Sequence, residues 1–276
     1  MYIIDAHQHF WKYHVDTHGW INDEMAVIRK DFMPSDVAIL HASHQVSGCI
    51  AVQAEQSLDE TNFLLSLAAE YHFIKGVVGW IDLLAPNIEA QLASLKQHQI
   101  LKGFRHILQA EQPEFMLQPA FHNGINALTV NGYTYDVLVY PHHLKAVIAL
   151  VRAHPNQKFV LDHIAKPFIK TKDIASWASD IRTLAACDNI YCKVSGLITE
   201  ADYRHWQLSD FTPYLNVITE AFGTHRIMFG SDWPVCLVAA NYTQVLSLVQ
   251  DYYAAFSAHE QAAIMGGNAA RFYSLT

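Results

Sequence analysis

The chain has 276 residues, 51% of them hydrophobic, enough to bury a large core as one large α/β domain or two small ones. Its formal net charge of −8, with only 18 Lys and Arg, excludes the clustered basic surface that nucleic acid demands. No uninterrupted apolar run of ~18 residues is present, so no membrane-spanning helix is expected.

The chain's start lacks a basic stretch followed by an apolar one, so no secretory leader is expected. The four cysteines (Cys49, Cys187, Cys192 and Cys236) form no C-x-x-C pair, and three lie in or beside apolar strands as small hydrophobes. A reducing cytoplasm is the expected setting, and Cys187 and Cys192 resemble a metal spacing only loosely.

In chain order, residues 2–9 read as a short apolar strand running into two histidines. Side chains alternate along a strand, so His7 and His9 share one face while Gln8 takes the other. Further β-rich runs follow at 48–53, 74–82, 102–107, 134–140, 158–163, 190–194 and 227–230. They are almost continuously apolar, as strands buried on both faces must be. Between them lie amphipathic segments. Residues 59–71 put Phe63, Leu64, Leu67 and Ala68 on one stripe, and 87–97 do the same with Ile88, Leu92 and Leu95. A further helix opens at Pro141 and runs to about His154, where Pro155 forbids continuation. No Pro/Gly/Ser linker divides the chain, so 1–276 reads as one domain.

Eight strand–helix units in this length predict a (β/α)₈ TIM barrel, with chemistry at the carboxyl ends of the strands. An open doubly wound sheet would want a glycine-rich phosphate loop after its first strand, where this chain has His-Gln-His. The strand ends therefore supply the candidates. They are His7 and His9 from strand one, Gln53 and Glu55 from strand two, and Arg105 and His106 from strand four. Tyr140 follows from strand five, His163 from strand six, and Asp232 with Trp233 after strand eight.

Plainer readings stand beside these. Asp232 would serve as a turn cap before Pro234, Arg105 would pair with Glu55 inside the barrel, and Trp233 would only pack. Asp162, next to His163, is expected to face the helices. As chemistry, two or three imidazoles and a carboxylate on different strands can hold a divalent metal with open positions. They can equally work without one, the histidines donating to an oxyanion while the carboxylate takes a proton from water. The residues alone leave both open.

The segments DAHQHFW, VQAEQSLDETNFLL, GWIDL, KGFRHILQ, DHIAKP, CKVSGLITEA and FGSDWPV resemble the amidohydrolase superfamily. Within it they are similar to the sugar-lactonase branch of L-fuconolactonase and L-rhamnonolactonase type, from Asp5 to Asn268. The resemblance implies a distorted barrel and at most one divalent metal on His7, His9, His163 and Asp232. Zinc comes first among the candidates, and some related lactonases dispense with the ion. Binuclear relatives use a bridging Lys or Glu on strand four and two more histidines from strands five and six. Arg105, His106 and Tyr140 depart from that pattern.

The implied reaction is opening of a neutral sugar lactone. Asp232 is the general base, His7, His9 and His163 polarise the carbonyl, and Asp232 or His163 returns the proton to the ring oxygen. Arg105 would steady the oxyanion or hold a hydroxyl. Gln53, Glu55, Tyr140 and His106 would bind sugar hydroxyls, and Trp20, Trp80 or Trp233 would form an apolar wall. A single convincing Arg beside Glu55 suits a neutral lactone better than a dicarboxylate, an argument weakened if Lys102, Lys166 or Lys193 reaches the pocket. The alternatives are a metal-dependent decarboxylase or dicarboxylate lactonase on the same barrel and, more remotely, a non-catalytic sugar-acid-binding protein. The expected partner is a small sugar lactone, and the 6 tryptophans and 13 tyrosines suit a homo-oligomer interface as readily as a pocket.

Overall fold

The computed structural model describes residues 2–275. Eight parallel strands are hydrogen-bonded in sequence order: β1 (Ile3–Gln8), β2 (Val46–Val52), β3 (Ile74–Gly79), β4 (Leu101–His106), β5 (Thr134–Val137), β6 (Phe159–Leu161), β7 (Ile190–Val194) and β8 (Ile227–Phe229). The helices α1 (Pro34–Ser43), α2 (Leu58–Glu70), α3 (Ile88–Leu95), α4 (Pro119–Asn131), α5 (Leu144–Ala153), α6 (Ala175–Ala185), α7 (Leu208–Phe222) and α8 (Tyr242–Tyr253) alternate with the strands. Two short helices, α9 (Ala258–Ala262) and α10 (Asn268–Phe272), close the chain. This is the (β/α)₈ barrel expected.

Closure runs through the site itself. The backbone N–H of Asp232 donates to the His7 carbonyl at 2.9 Å, and that of His9 donates to the Trp233 carbonyl at 2.7 Å. Joining the last stave to the first therefore also sets four candidate residues, His7, His9, Asp232 and Trp233.

Two cores result. Strand residues facing outward pack with the helices in one large cluster. Inside the barrel, Ile4, Ile50, Val52, Val78, Val160 and Met228 form a separate apolar layer sealed at the amino-terminal end by Phe272 and Tyr273 of the α10 region. Polar groups occupy the levels above, toward the carboxyl ends of the strands.

Several strands stop earlier than the apolar runs suggest. Residues 138–140 leave the sheet after Val137, and Tyr140 leads into the tight turn Pro141–His143 before α5 starts at Leu144. β6 is only three residues long, because His163, Ile164, Ala165 and Lys166 take φ of 53°, 48°, 61° and 46°. That is a left-handed turn of four non-glycine residues, each costing about 1–2 kcal/mol relative to the right-handed form. It is held from outside by the Trp177 indole N–H, which donates to the Ile164 carbonyl at 2.8 Å.

Candidate active site

At the carboxyl ends of the strands, His7, His9, His163 and Asp232 converge. Asp232 Oδ1 lies 3.3 Å from His9 Nε2, 3.8 Å from His7 Nε2 and 3.9 Å from His163 Nε2. The two ring nitrogens of the H-x-H pair, His7 Nε2 and His9 Nε2, are 3.2 Å apart. All four side chains are buried.

Each imidazole is oriented from behind. His9 Nδ1 donates to the Val52 carbonyl at 2.8 Å, and because a carbonyl only accepts, His9 Nε2 keeps its lone pair for the site. His163 Nδ1 bonds Ser195 Oγ at 2.8 Å. Behind His7, Lys193 Nζ and Asp162 Oδ1 lie 3.1 and 3.4 Å from Nδ1, and Arg105 Nη1 lies 3.2 Å from Nε2.

Burial lowers the pKa of His7 well below that of a free histidine and that of His163 to about 4, against the pull of the nearby carboxylates. For Asp232, burial works to raise the value, but the surrounding imidazoles, His163 foremost, hold the carboxyl below its usual range.

Such a set fits a divalent cation. His7 Nε2, His9 Nε2 and Asp232 Oδ1 lie within 3.2–3.8 Å of one another. Zinc bound tetrahedrally at about 2.0–2.1 Å sets ligand separations of roughly 3.3 Å, close to these edges. These buried ring nitrogens and the carboxylate oxygen form a group that could hold a metal ion, with the Lys193 ammonium at His7 Nδ1 and the Arg105 guanidinium at His7 Nε2 as its cationic neighbours.

The remaining candidates divide. Arg105, Tyr140 and Trp20 line a cavity of about 560 Å³ together with His9, His163 and Asp232. Gln53 lies fully buried behind it, its side-chain amide donating to the Arg105 backbone carbonyl at 2.9 Å while the Gln53 backbone carbonyl accepts from the Arg105 guanidinium. Glu55 is half-buried near Glu60 and His18 and does not line the cavity, since the chain bends after Val52 and strand alternation ends there. His106 turns to Glu111 Oε1 at 3.1 Å and stacks on Phe115. Trp233 is 2% exposed and packs edge-on against Phe32, and Trp80 also stands off the wall, its backbone bonded to Thr61.

Two expectations need correction. Arg105 pairs with Asp162 at 3.1 Å, not with Glu55. Asp162 faces the barrel interior, not the helices. Val160 points inward and Asp162 is two residues on, so alternation places it inside. It is His163 that departs from the alternation, swung into the site by its left-handed backbone.

Other functional neighbours carried weaker sequence signals. Lys193 lies beneath His7, between Asp162 at 3.0 Å and Asp136, whose carboxylate also accepts from the Tyr273 hydroxyl. A lysine inside Ile190–Val194 and an aspartate inside Thr134–Val137 are charges in buried strands, which is the cue that finds them. Lys166, Glu200 and Gln56 reach the cavity from loops, where periodicity is silent. Lys102 lies beside Ser274, away from this cavity.

A (β/α)₈ barrel with an H-x-H pair at the end of its first strand, a histidine after the sixth and an aspartate after the eighth defines a hydrolase-type site of the amidohydrolase kind. Residues 4–275 match the amidohydrolase family, and the chain belongs to it. An L-fucono-1,5-lactonase of Burkholderia multivorans is 42% identical over 284 aligned positions, spanning 99% of this chain and 96% of that relative. A second L-fucono-1,5-lactonase, from Burkholderia ambifaria, is 34% identical over 99% of this chain and 95% of its own. A crystal structure of an amidohydrolase from Burkholderia multivorans with bound zinc superposes with a TM-score of 0.97 at 41% identity, covering all of both chains.

Proposed function

We propose that this protein hydrolyses the ring ester of a neutral sugar lactone of the L-fucono-, L-rhamnono- or L-galactono- type. The observation that carries this reading is Asp232, whose Oδ1 is ringed by three imidazole nitrogens at the floor of a cavity sized for a monosaccharide. Whole-length similarity to two L-fucono-1,5-lactonases supports it.

In this scheme the lactone carbonyl lies against Arg105 and the histidines, and water lies against Asp232. Asp232 takes a proton as the water oxygen bonds to the carbonyl carbon. The guanidinium of Arg105, fixed by Asp162, steadies the oxyanion. As the acyl–oxygen bond breaks, the proton passes to the ring oxygen from Asp232 or through His163, giving one carboxylic acid and one free hydroxyl. A divalent ion on His7, His9, His163 and Asp232 would supply Lewis-acid polarisation and a more acidic water. Neutral substrates suit the cavity, where Arg105 and Lys166 are matched by Asp232 and Glu200.

The test is acid release from a panel of aldonolactones and a pyrone dicarboxylate, with wild type and Asp232→Asn. A 6-deoxy- or galactose-type lactone is expected to turn over, and Asp232→Asn to lose about 10²–10⁴-fold in kcat while staying folded. Exhaustive chelation is expected to lower turnover and added zinc to restore it. Silence on every sugar lactone, with release from the dicarboxylate or carbon dioxide from aromatic acids, would overturn the proposal in favour of the other activities of the fold.

A further inference from the structure

Lys166 and Glu200 reach the same cavity from neighbouring loops. Lys166 ends the left-handed turn that also aims His163, and Glu200 ends the short turn Ile198–Glu200 that follows β7. The loops are tied together by the Lys170 N–H, which donates to the Glu200 carbonyl at 3.0 Å. Backbone strain in such a turn persists only where surrounding structure enforces it, and here it delivers two cavity side chains at once.

The two head groups do not close on each other. Lys166 Nζ and Glu200 Oε1 are 4.0 Å apart although the side chains are only 17% and 18% exposed. A direct charged hydrogen bond would lie nearer ~2.8 Å. Thr199, beside Glu200, donates its hydroxyl to the Gly196 carbonyl at 2.9 Å and lies close enough to the Glu200 carboxyl to lower its pKa. Lys166 Nζ also lies 5.6 Å from the centre of the Tyr140 ring, which limits its freedom. A single hydroxyl oxygen placed ~2.8 Å from both atoms spans the gap at an angle of roughly 90°, accepting from the ammonium and donating to the carboxylate.

We propose that Lys166 and Glu200 are specificity-determining residues that bracket one ring hydroxyl of a neutral polyhydroxy lactone. The assignment rests on the lactonase reading above and adds the feature that selects the substrate. Lys166 alone would welcome a carboxylate there, and Glu200 rejects one. Burial pushes the Glu200 carboxyl up while Lys166 and the Thr199 hydroxyl oppose it, so a further donor in the gap adds to the support of a poorly solvated charge.

The experiment compares kcat/KM on a polyhydroxylated aldonolactone with that on unsubstituted δ-valerolactone, for wild type, Lys166→Met, Glu200→Gln and the double variant. Each single change is expected to lower the ratio of the two values by about 10–100-fold. The double variant should be little worse than the poorer single, because both groups hold one hydroxyl. Glu200→Gln, nearly isosteric, is decisive by itself if Lys166→Met fails to fold. An unchanged ratio overturns the assignment. If wild type opens neither lactone, the lactonase reading fails separately. Calorimetric binding of the intact aldonolactone to wild type and Glu200→Gln then decides, weaker binding by the variant supporting the bracket and equal or absent binding in both overturning it.

Discussion

Gly196 has φ +60°, and a Cβ there would lie 2.6 Å from His163 Nδ1. Gly196→Ala therefore carries two penalties, about 1–2 kcal/mol for the left-handed backbone and more for displacing the imidazole. A misplacement of ~1 Å at a reacting group costs about 100-fold in rate. The variant is expected to unfold at a modestly lower temperature yet lose far more in kcat/KM, and wild-type kinetics would show that His163 needs no such fixing. At this scale the sequence was legible for residue types and poor for directions. His7 and His9 were readable because the end of β1 carries the one and the extended residue after it the other. His163 reaches the site only because its backbone leaves the strand, which alternation cannot foresee. Asp162 was readable by the same alternation applied from Val160.

The eight strands and their order were legible because a parallel barrel stave is apolar on both faces, and the ends were less so because polar turns borrow strand-like residues. The loops that carry Lys166, Glu200 and Gln56 have no period to read. α1 shows how helix and stave are coupled. His41 on α1 is buried, with Nε2 2.9 Å from the Gln8 side-chain amide of β1. Burial lowers its pKa to about 4. The folded state then binds fewer protons than the unfolded chain between about pH 4 and 6.5, so the stability tied to a neutral His41 is complete above 6.5 and lost as pH falls through that window. The full span is at most about 3 kcal/mol. Urea unfolding of wild type and His41→Gln across about pH 4–7 is expected to show a shallower pH slope in the variant. Parallel slopes would mean that the ring titrates normally.

At the scale of the whole molecule, the layer beneath the site is a charge network across the barrel. It joins Arg105 of β4, Asp136 of β5, Asp162 after β6, Lys193 of β7 and His7 of β1, with the Tyr273 hydroxyl reaching Asp136 from below. Among these, Lys193 is fully buried and touches both carboxylates. Lys193 also separates the apolar plug from the histidines, so its charge bears on stability and on the site together. Lys193→Met would keep most of the volume but leave Asp136 without its ammonium and reduce Asp162 to Arg105 and His7. Removing one partner from a buried ionic set typically costs about 3–5 kcal/mol, because a buried charge is left uncompensated. The expected outcome is a loss of that order in unfolding free energy. Adding Asp136→Asn should recover part of it, since the amide needs no counter-charge and can still accept from Tyr273. Equilibrium unfolding of the two single variants and the double variant closes the cycle. A Lys193→Met protein as stable as wild type would show that solvent or a shifted proton already neutralises these carboxylates, and that the barrel is held by its apolar layers alone.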